Sequence, residues 1–323
     1  MGNSVDEIEK CKLFLSTKFS IKDLGKLRYF LGIEVLDEQD GLCITQRKYC
    51  LDLLTEFGLL GCKPSQTLIE TRLVLDNDDI KGAPLRNITK YQKLIGKLIY
   101  LTFTRPDIAY VVHILSQLMH NPHDLHFKLA MRVIRYLKGS PGKGIFFKKE
   151  GNLSLSAFVD SNWAKKVTTR KSITGYILFL GSCPISWKSK KQQTISRSSA
   201  EAEFRALAAI TCEVIWVQKI LEELGVHKTR PVSIFCDSKA AIQIAANLVF
   251  HEKTKHFELD LFFIREKILL GIIETIKVTS EENSSDIFTK VYKKKDYLCY
   301  MLQVRNWRVK DVRRRKKREL TGT

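Results

Sequence analysis

The chain lacks any Cys-x-x-Cys pair. Cys11, Cys43, Cys50, Cys62, Cys183, Cys212, Cys236 and Cys299 are scattered, and most lie in apolar runs such as SIFCDS. That usage argues against a disulfide framework and reads as reduced, intracellular thiols. No apolar run is long enough to cross a bilayer. MGNSVDEIEK has no apolar stretch behind its start, so no signal peptide is expected, and Asp6 spoils the myristoylation pattern that Gly2 would open. Acids are scarce beside bases: 35 Asp and Glu against 54 Lys and Arg, a formal charge of +19. An excess of that size favours polyanionic partners, nucleic acid before an anionic membrane surface. With 44% hydrophobic and 10% aromatic residues, the chain has ample material for packed cores, and 323 residues suit about two domains.

Periodicity divides the chain in two. VDEIEKCKLFLSTKF has apolar residues at helical spacing, and GKLRYFLGIEVLDEQDGLCITQRKYC reads as two strands around an Asp40-Gly41 turn. CLDLLTEFGLLG is a short helix closed by Gly61, residues 62–87 read as a loop, and helical spacing resumes in YQKLIGKLIYLTFTRPDIAYVVHILSQLM and HFKLAMRVIRYLKGSPG. After Gly142 the pattern changes to two strands in IFFKKEGNLSLSAFVDSNWA and two more in TGYILFLGSCPISWKSKKQQTIS. A long helix from Ser198 to Gly225 follows. Next come a strand at PVSIFCD, helices at SKAAIQIAAN and HEKTKHFELDLFFIREKILLG, a strand at IIETIKVTS and a last helix from SSDIFTK. This half predicts a mixed α/β sheet flanked by helices.

The chemistry begins in ISRSSAEAEFRAL. Ser198-Ser199-Ala200-Glu201 has the form of a capping box, which gives Glu201 a local task. Glu203 shares a stripe with Leu207, Ile210, Val214, Val217 and Leu221, the stripe that should meet the core. A carboxylate there is expensive unless it is paired or bound to metal. Asp160 ends LSLSAFVD and Asp237 ends SIFCD, both at the carboxyl ends of strands, where open α/β sheets place their sites. Asp286 falls in the first turn of SSDIFTK. Singly, each aspartate also reads as a cap or as a partner of a helix dipole. Together the acids describe an all-oxygen site for hard divalent cations, which Mg²⁺ fits best, with Mn²⁺ as its substitute. In a basic protein such a site suggests phosphodiester hydrolysis assisted by two metal ions.

AFVDSNWA, RKSITGYILFLGSCPISWKSKKQQTISRSSAEAEFRALA, IFCDSKAAIQIAANLVFHEKTKHFELDLFFIREKI and SSDIFTK, in that order, resemble the RNase H domain of copia-type LTR retrotransposon Pol polyproteins. The resemblance implies an RNase H-like fold over residues 145–292 that cuts the RNA strand of RNA–DNA hybrids. It assigns both the catalytic and the metal-holding roles to Asp160, Glu203, Asp237 and Asp286, around two Mg²⁺ ions. FSIKDLGKLRYFLGIEV, ITQRKYCLDLL and RVIRYLKGSPGKGI are similar to the end of the reverse transcriptase in the same polyproteins. Residues 1–140 are therefore expected to form a partial palm and thumb with connection helices. YFLGIEV looks like the hairpin that grips the primer strand. The Tyr-x-Asp-Asp sequence of such polymerases is missing, and the lone Asp78-Asp79 pair lies in a polar stretch, so no DNA polymerase activity is expected. The first half is expected to expose apolar surface that the absent polymerase parts would cover.

The chain departs from the family at several positions. Relatives commonly carry a second aspartate at Asn162, a glycine at Lys165, and a glutamine and an alanine within ENSS before Asp286. KVTSEENSSD holds no histidine, so a product-release histidine is not assignable, and His256 has no catalytic role to argue. His120, His123 and His126 mimic a zinc site, but Pro122 would break the helix aligning them, and a polar loop is the reading preferred. KSKKQQ and the residues after it supply cations suited to a nucleic acid backbone, Lys188, Lys190, Lys191 and Arg197, with a solvated hairpin end as the alternative. The tail 293–323 is basic, and its RRRKKR suits a nuclear signal, a nucleic-acid tether or read-through sequence. The expectation is thus an intracellular RNase H-type nuclease, cytoplasmic or nuclear, acting on RNA–DNA hybrid and not on membranes. A catalytically inert nucleic-acid-binding or protein-interaction remnant is the alternative.

Overall fold

A computed structural model describes residues 4–69, 82–149, 153–164, 169–226, 231–246 and 258–290. Asp78-Asp79, Lys165, His256, the tail and any helix continuing from SSDIFTK lie outside these residues. Among the described residues no helix is long and apolar enough to cross a membrane.

Helix α1 (Val5–Lys18) starts at Ser4, whose side chain accepts the Glu7 N–H, yet it buries none of its residues. Strands β1 (Tyr29–Phe30), β2 (Ile33–Glu38) and β3 (Gly41–Thr45) form antiparallel hairpins. The β2–β3 turn is Gln39-Asp40, one residue before the expected Asp40-Gly41, because Gly41 already opens β3 opposite Glu38. A second two-residue turn at Leu31-Gly32 has φ of 48° and 79°, the mirror-image geometry that fits the twist of paired strands. Phe14, Phe19, Leu24, Leu27, Phe30 and Leu31 are all exposed, the apolar surface expected of this half.

Between β3 and its next partner the chain builds α2 (Arg47–Glu56), α3 (Ile88–Leu101), α4 (Ala109–Ser116) and α5 (Asp124–Gly139). Leu94, Ile95, Leu98 and Leu101 form one stripe of α3 and pack against Leu53, Leu54, Leu115, Val133 and Leu137. Each such fully buried side chain contributes about 1.5–3 kcal/mol. The hydroxyl of buried Tyr91 donates to Leu115 O at 2.9 Å. His123 and His126 belong to the start of α5, where the His123 N–H donates to His126 Nδ1 at 3.0 Å. Strand β4 (Ile145–Lys148) then returns to pair with β3, from Gly41↔Lys148 to Ile44↔Ile145. This corrects the expectation that residues from 145 onward belong to the second half. The period-2 pattern of IFFK predicted a strand but could not name its partner.

The second sheet comprises β5 (Leu155–Asn162), β6 (Ile173–Leu180), β7 (Cys183–Lys191), β8 (Val232–Cys236) and β9 (Ile273–Lys277). Its order is β7-β6-β5-β8-β9, antiparallel across β5, β6 and β7 and parallel across β5, β8 and β9. This is the mixed, helix-flanked sheet that the RNase H resemblance implies. Helices α6 (Ser199–Glu223), α7 (Lys239–Ala246) and α8 (Glu258–Leu269) pack on one face around Ala157, Val159, Leu207, Ile210, Val214 and Ile234. The other face, with Ile177 and Phe179, is covered by Ala109 of α4 and by Ile287 and Phe288 of a 3-10 turn (Asp286–Phe288). Two bonds reinforce that junction. Trp187 Nε1 donates to Thr102 O at 3.0 Å, and the Lys191 N–H donates to His113 Nε2 at 2.9 Å.

TRPDI contributes a buried charge pair beside this junction. Arg105 grips Asp107 with two bonds, of 2.9 and 2.7 Å, and reaches Ser140 O at 3.0 Å, while Tyr136 donates to Asp107 Oδ2 at 2.9 Å. Burial pushes the Asp107 carboxyl up. Arg105, Lys143 and the bonds from Arg105 and Tyr136 outweigh it and hold the pKa below the usual carboxylate range. Both side chains are 3% exposed, so deleting one strands the other without water. Asp107→Ala is expected to lower unfolding free energy by about 3–5 kcal/mol, read as a lower denaturant midpoint. A loss within about 0.5 kcal/mol, the range of ordinary surface changes, would contradict this.

Candidate metal centre

The four predicted acids meet at one end of β5. Asp160 lies near the carboxyl end of β5 and Asp237 directly follows the parallel strand β8. Glu203 reaches in from the first turns of α6 on one face of the sheet, and Asp286 opens the 3-10 turn on the other. Carboxylate oxygens of Asp160, Asp237 and Asp286 lie within 4.8 Å of one another, and oxygens of Glu203 and Asp237 lie within 4.8 Å of each other and of Cys236 Sγ. Asp160, Glu203 and Asp286 are buried, and Asp237 is half-buried.

Each acid is held by its own contacts. Glu203 Oε1 accepts the Ser161 N–H at 3.1 Å, while Oε2, although buried, has no hydrogen-bond partner among the described residues. Thr289 Oγ1 donates to Asp160 Oδ2. Ser280 Oγ donates to Asp237 Oδ2 at 2.6 Å. Lys290 Nζ stands 2.7 Å from Asp286 Oδ2 and 3.7 Å from Asp160 Oδ2, a single cation bridging two acids.

Helix α6 starts as its sequence requires, with Ser198 Oγ accepting the Glu201 N–H at 3.1 Å. Glu201 is no surface residue, however: it is 1% exposed, against 8% for Glu203. Its carboxylate turns away from the acids, taking the Arg197 N–H at 2.8 Å and two bonds from Arg205 at 3.1 and 2.9 Å. The two glutamates therefore differ in their partners and not in their burial.

The predicted backbone-binding cations are less concentrated. Alternation along β7 sends Lys188 and Lys190, both exposed, to the face that α6 covers, and Lys191 to the face of Asp160. Lys188, Lys190 and Lys191 border a cleft of about 700 Å³ together with Arg205, Asp260 and Phe263. Arg197 is exposed in the loop before α6.

Comparison with known proteins adds the family. Residues 1–71 match the family model described as reverse transcriptase (RNA-dependent DNA polymerase). The retrovirus-related Pol polyprotein from transposon RE1 of Arabidopsis thaliana is 43% identical over 276 residues, 85% of this chain and 19% of that protein. The Pol polyprotein from transposon TNT 1-94 of Nicotiana tabacum is 32% identical over 311 residues, 93% of this chain and 23% of its own. The uncharacterized mitochondrial protein AtMg00810 of Arabidopsis thaliana is 44% identical over 202 residues, 62% of this chain and 83% of that one. This chain belongs to the copia-type retrotransposon Pol family. It spans about a fifth of the length of the Pol polyproteins that it matches. Among solved structures, LC11-RNase H1 is similar at 12% identity and a TM-score of 0.32, covering 42% of this chain and 92% of its own. The same enzyme in complex with RNA/DNA hybrid gives 11% identity and 0.30, covering 40% and 88%. The fold rests on the strand order and direction of the sheet itself.

Several residues that matter in this Pol chain carried no signal as site residues. Gly175 pairs with Asp160 on β6, and a Cβ there would stand 2.6 Å from Thr289 Cγ2 and 2.8 Å from Phe288 Cβ. Only glycine lets the turn that carries Asp286 press onto the strand beside Asp160. Asn283, fully buried, donates to Val159 O at 3.0 Å and accepts from Ser285 N and Ser285 Oγ, which pins the ENSS stretch to β5. Asn162 Nδ2 donates to Thr289 O at 3.0 Å, a bond that an ionised aspartate at this position could not make. This departure thus buttresses the Asp286 turn.

Burial dominates the electrostatics. It raises the Glu203 pKa from 4.5 to about 9, with Asp160 and Asp237 adding to the rise. It also raises Asp286 from 3.8 to about 6, with help from Asp160. Asp160 is raised by burial as well, against the opposing pull of Lys290 and Thr289. Burial lowers the Lys290 pKa, but Asp160, Asp286 and Asp237 raise it by more, so the ammonium keeps its charge. A carboxyl whose folded pKa exceeds its unfolded one contributes stability at low pH that is lost as pH rises between the two values. Thermal midpoints of metal-free protein should therefore fall from about pH 4.5 to about pH 9, and Glu203→Gln should flatten most of that fall. A profile unchanged by the substitution would contradict it. Gly175→Ala should displace the Asp286 turn and lower the thermal midpoint; an unchanged midpoint would show that the close approach is dispensable.

Proposed function

We propose that this chain is an RNase H-type endonuclease that hydrolyses the RNA strand of RNA–DNA hybrids with the help of two Mg²⁺ ions, Mn²⁺ serving in their place. The observation that carries this reading is the meeting of Asp160, Glu203, Asp237 and Asp286, drawn from separate elements, with one buried oxygen of Glu203 lacking a partner among the described residues. A buried unpaired carboxylate oxygen is costly, and a cation is the group that satisfies it. The donor set is rich in hard oxygen, which suits Mg²⁺, and the four acids are its holders. Bound Mg²⁺ supplies Lewis acidity, lowering the pKa of water and stabilising a leaving oxygen.

The protein's own residues do the positioning. Ser161 N–H orients Glu203, Thr289 orients Asp160, and Ser280 orients Asp237. Lys290 offsets the crowded negative charge from one side. The strong basic excess supplies attraction to a polyanion, and a hybrid would be recognised through its shape, phosphates and 2′-hydroxyls, not its base sequence. Of the proposed backbone contacts, Lys191 shares the sheet face of Asp160 and Arg197 lies in the loop before α6, while Lys188 and Lys190 lie on the face that α6 covers.

A labelled hybrid incubated with full chain and Mg²⁺ should be cut within its RNA strand. Asp160→Asn and Glu203→Gln should each reduce the rate by more than about a hundredfold, since even groups behind metal ligands cost about 10–100-fold when lost. The exposed apolar residues of α1 and the Leu31 hairpin favour a second reading, an inert protein-interaction remnant. Intact hybrid under conditions where it binds would favour an inert nucleic-acid-binding remnant, and association that ignores salt, or no association, would favour the protein-interaction reading.

A further inference from the structure

Cys236 ends β8 on its inward side, with no exposed surface. Its neighbours on one side are the apolar residues of the α6 core, as for an ordinary core cysteine. On the other side it meets the acids, its Sγ within 4.8 Å of carboxylate oxygens of both Glu203 and Asp237. The Ser238 N–H donates to this sulfur at 3.4 Å. An independent observation points to a ligand: Glu203 is more than nine-tenths buried, and its Oε2 has no partner among the described residues.

The four acids are thus not equivalent in their surroundings. Asp160, Asp237 and Asp286 make an all-oxygen group, while Glu203 and Asp237 share a group with a sulfur. Hard cations take oxygen and leave the sulfur unused, whereas thiolate with carboxylate is a ligand set for zinc-class ions. We propose that Glu203, Cys236 and Asp237 form a mixed sulfur–oxygen site for a thiophilic divalent cation of the zinc class, and that its occupation blocks the hydrolytic site. On binding, the cysteine S–H bond breaks, its proton passes to water and the sulfur electron pair forms the metal bond. A thiolate and two carboxylates then face a dication, with a position left for water. The blocking role rests on the nuclease reading; the binding does not, because it involves no substrate.

The probe is Cd²⁺, titrated into reduced, metal-free full chain while the thiolate-to-cadmium charge-transfer absorption is followed. One equivalent should produce the band, and Cys212→Ala, which removes an exposed thiol, should keep it. Cys236→Ser and Cys236→Ala should abolish the tight phase, and Glu203→Gln, which keeps every thiol, should weaken it at least about tenfold. Circular dichroism of each variant checks folding; should both Cys236 variants fail to fold, the Glu203→Gln titration decides alone. A tight band that survives in folded Cys236 variants, an affinity indifferent to Glu203→Gln, or no band in the unaltered chain would overturn the site. Protein that binds Cd²⁺ but cuts no hybrid would defeat the nuclease reading and leave this site standing. Protein that cuts hybrid but shows no band would do the reverse.

Discussion

Burying several carboxylates side by side is the constraint on which the rest of this structure depends. Taking one carboxylate out of water is unfavourable, and placing others within 4.8 Å multiplies the penalty. Folding therefore has to supply opposing interactions, and it does so unevenly. Asp160 and Asp286 share the ammonium of Lys290, Asp237 receives a serine hydroxyl, and Glu203 receives one backbone N–H and, among the described residues, no partner on its other oxygen. The result is a frame that holds its acids in place but leaves their charge only partly answered, which is the arrangement that a cation completes.

That frame is assembled from both halves of the chain. The turn bearing Asp286 rests on Gly175 and on the apolar face of Ile177 and Phe179, and Ala109 of α4 closes the same cluster. The buried Arg105–Asp107 pair steadies the segment that leads into α4, and His113 of α4 in turn accepts a hydrogen bond from the backbone of β7. The N-terminal helices are thus part of the support of the sheet and not a detached appendage. By contrast α1 and the Leu31 hairpin leave their apolar side chains in water.

Much of this was legible in the residues. Alternation in LSLSAFVD put Asp160 on the face opposite Val159, the helical stripe put Glu203 inward, and strand ends put Asp237 beside both; these are local periodicities, and local rules suffice to read them. What escaped was set by partners distant in sequence. IFFK announced a strand, but its pairing with β3 lies about a hundred residues back along the chain. Gly175 looked like any glycine in a strand until the turn at Thr289 came against it. The capping box gives Glu201 a task but does not tell its burial, which depends on the guanidinium of Arg205 one turn further on. Lys290, four residues beyond Asp286, shows its role only once Asp160 stands beside it.

The central claim is that these acids are gathered to hold divalent cations. Crystals of the full chain soaked in Mn²⁺ test it most directly through anomalous diffraction. Anomalous peaks lying among the carboxylates of Asp160, Glu203, Asp237 and Asp286, and lost in Glu203→Gln crystals, are the result the account predicts. Well-ordered acids with no peak among them at saturating Mn²⁺ would contradict it.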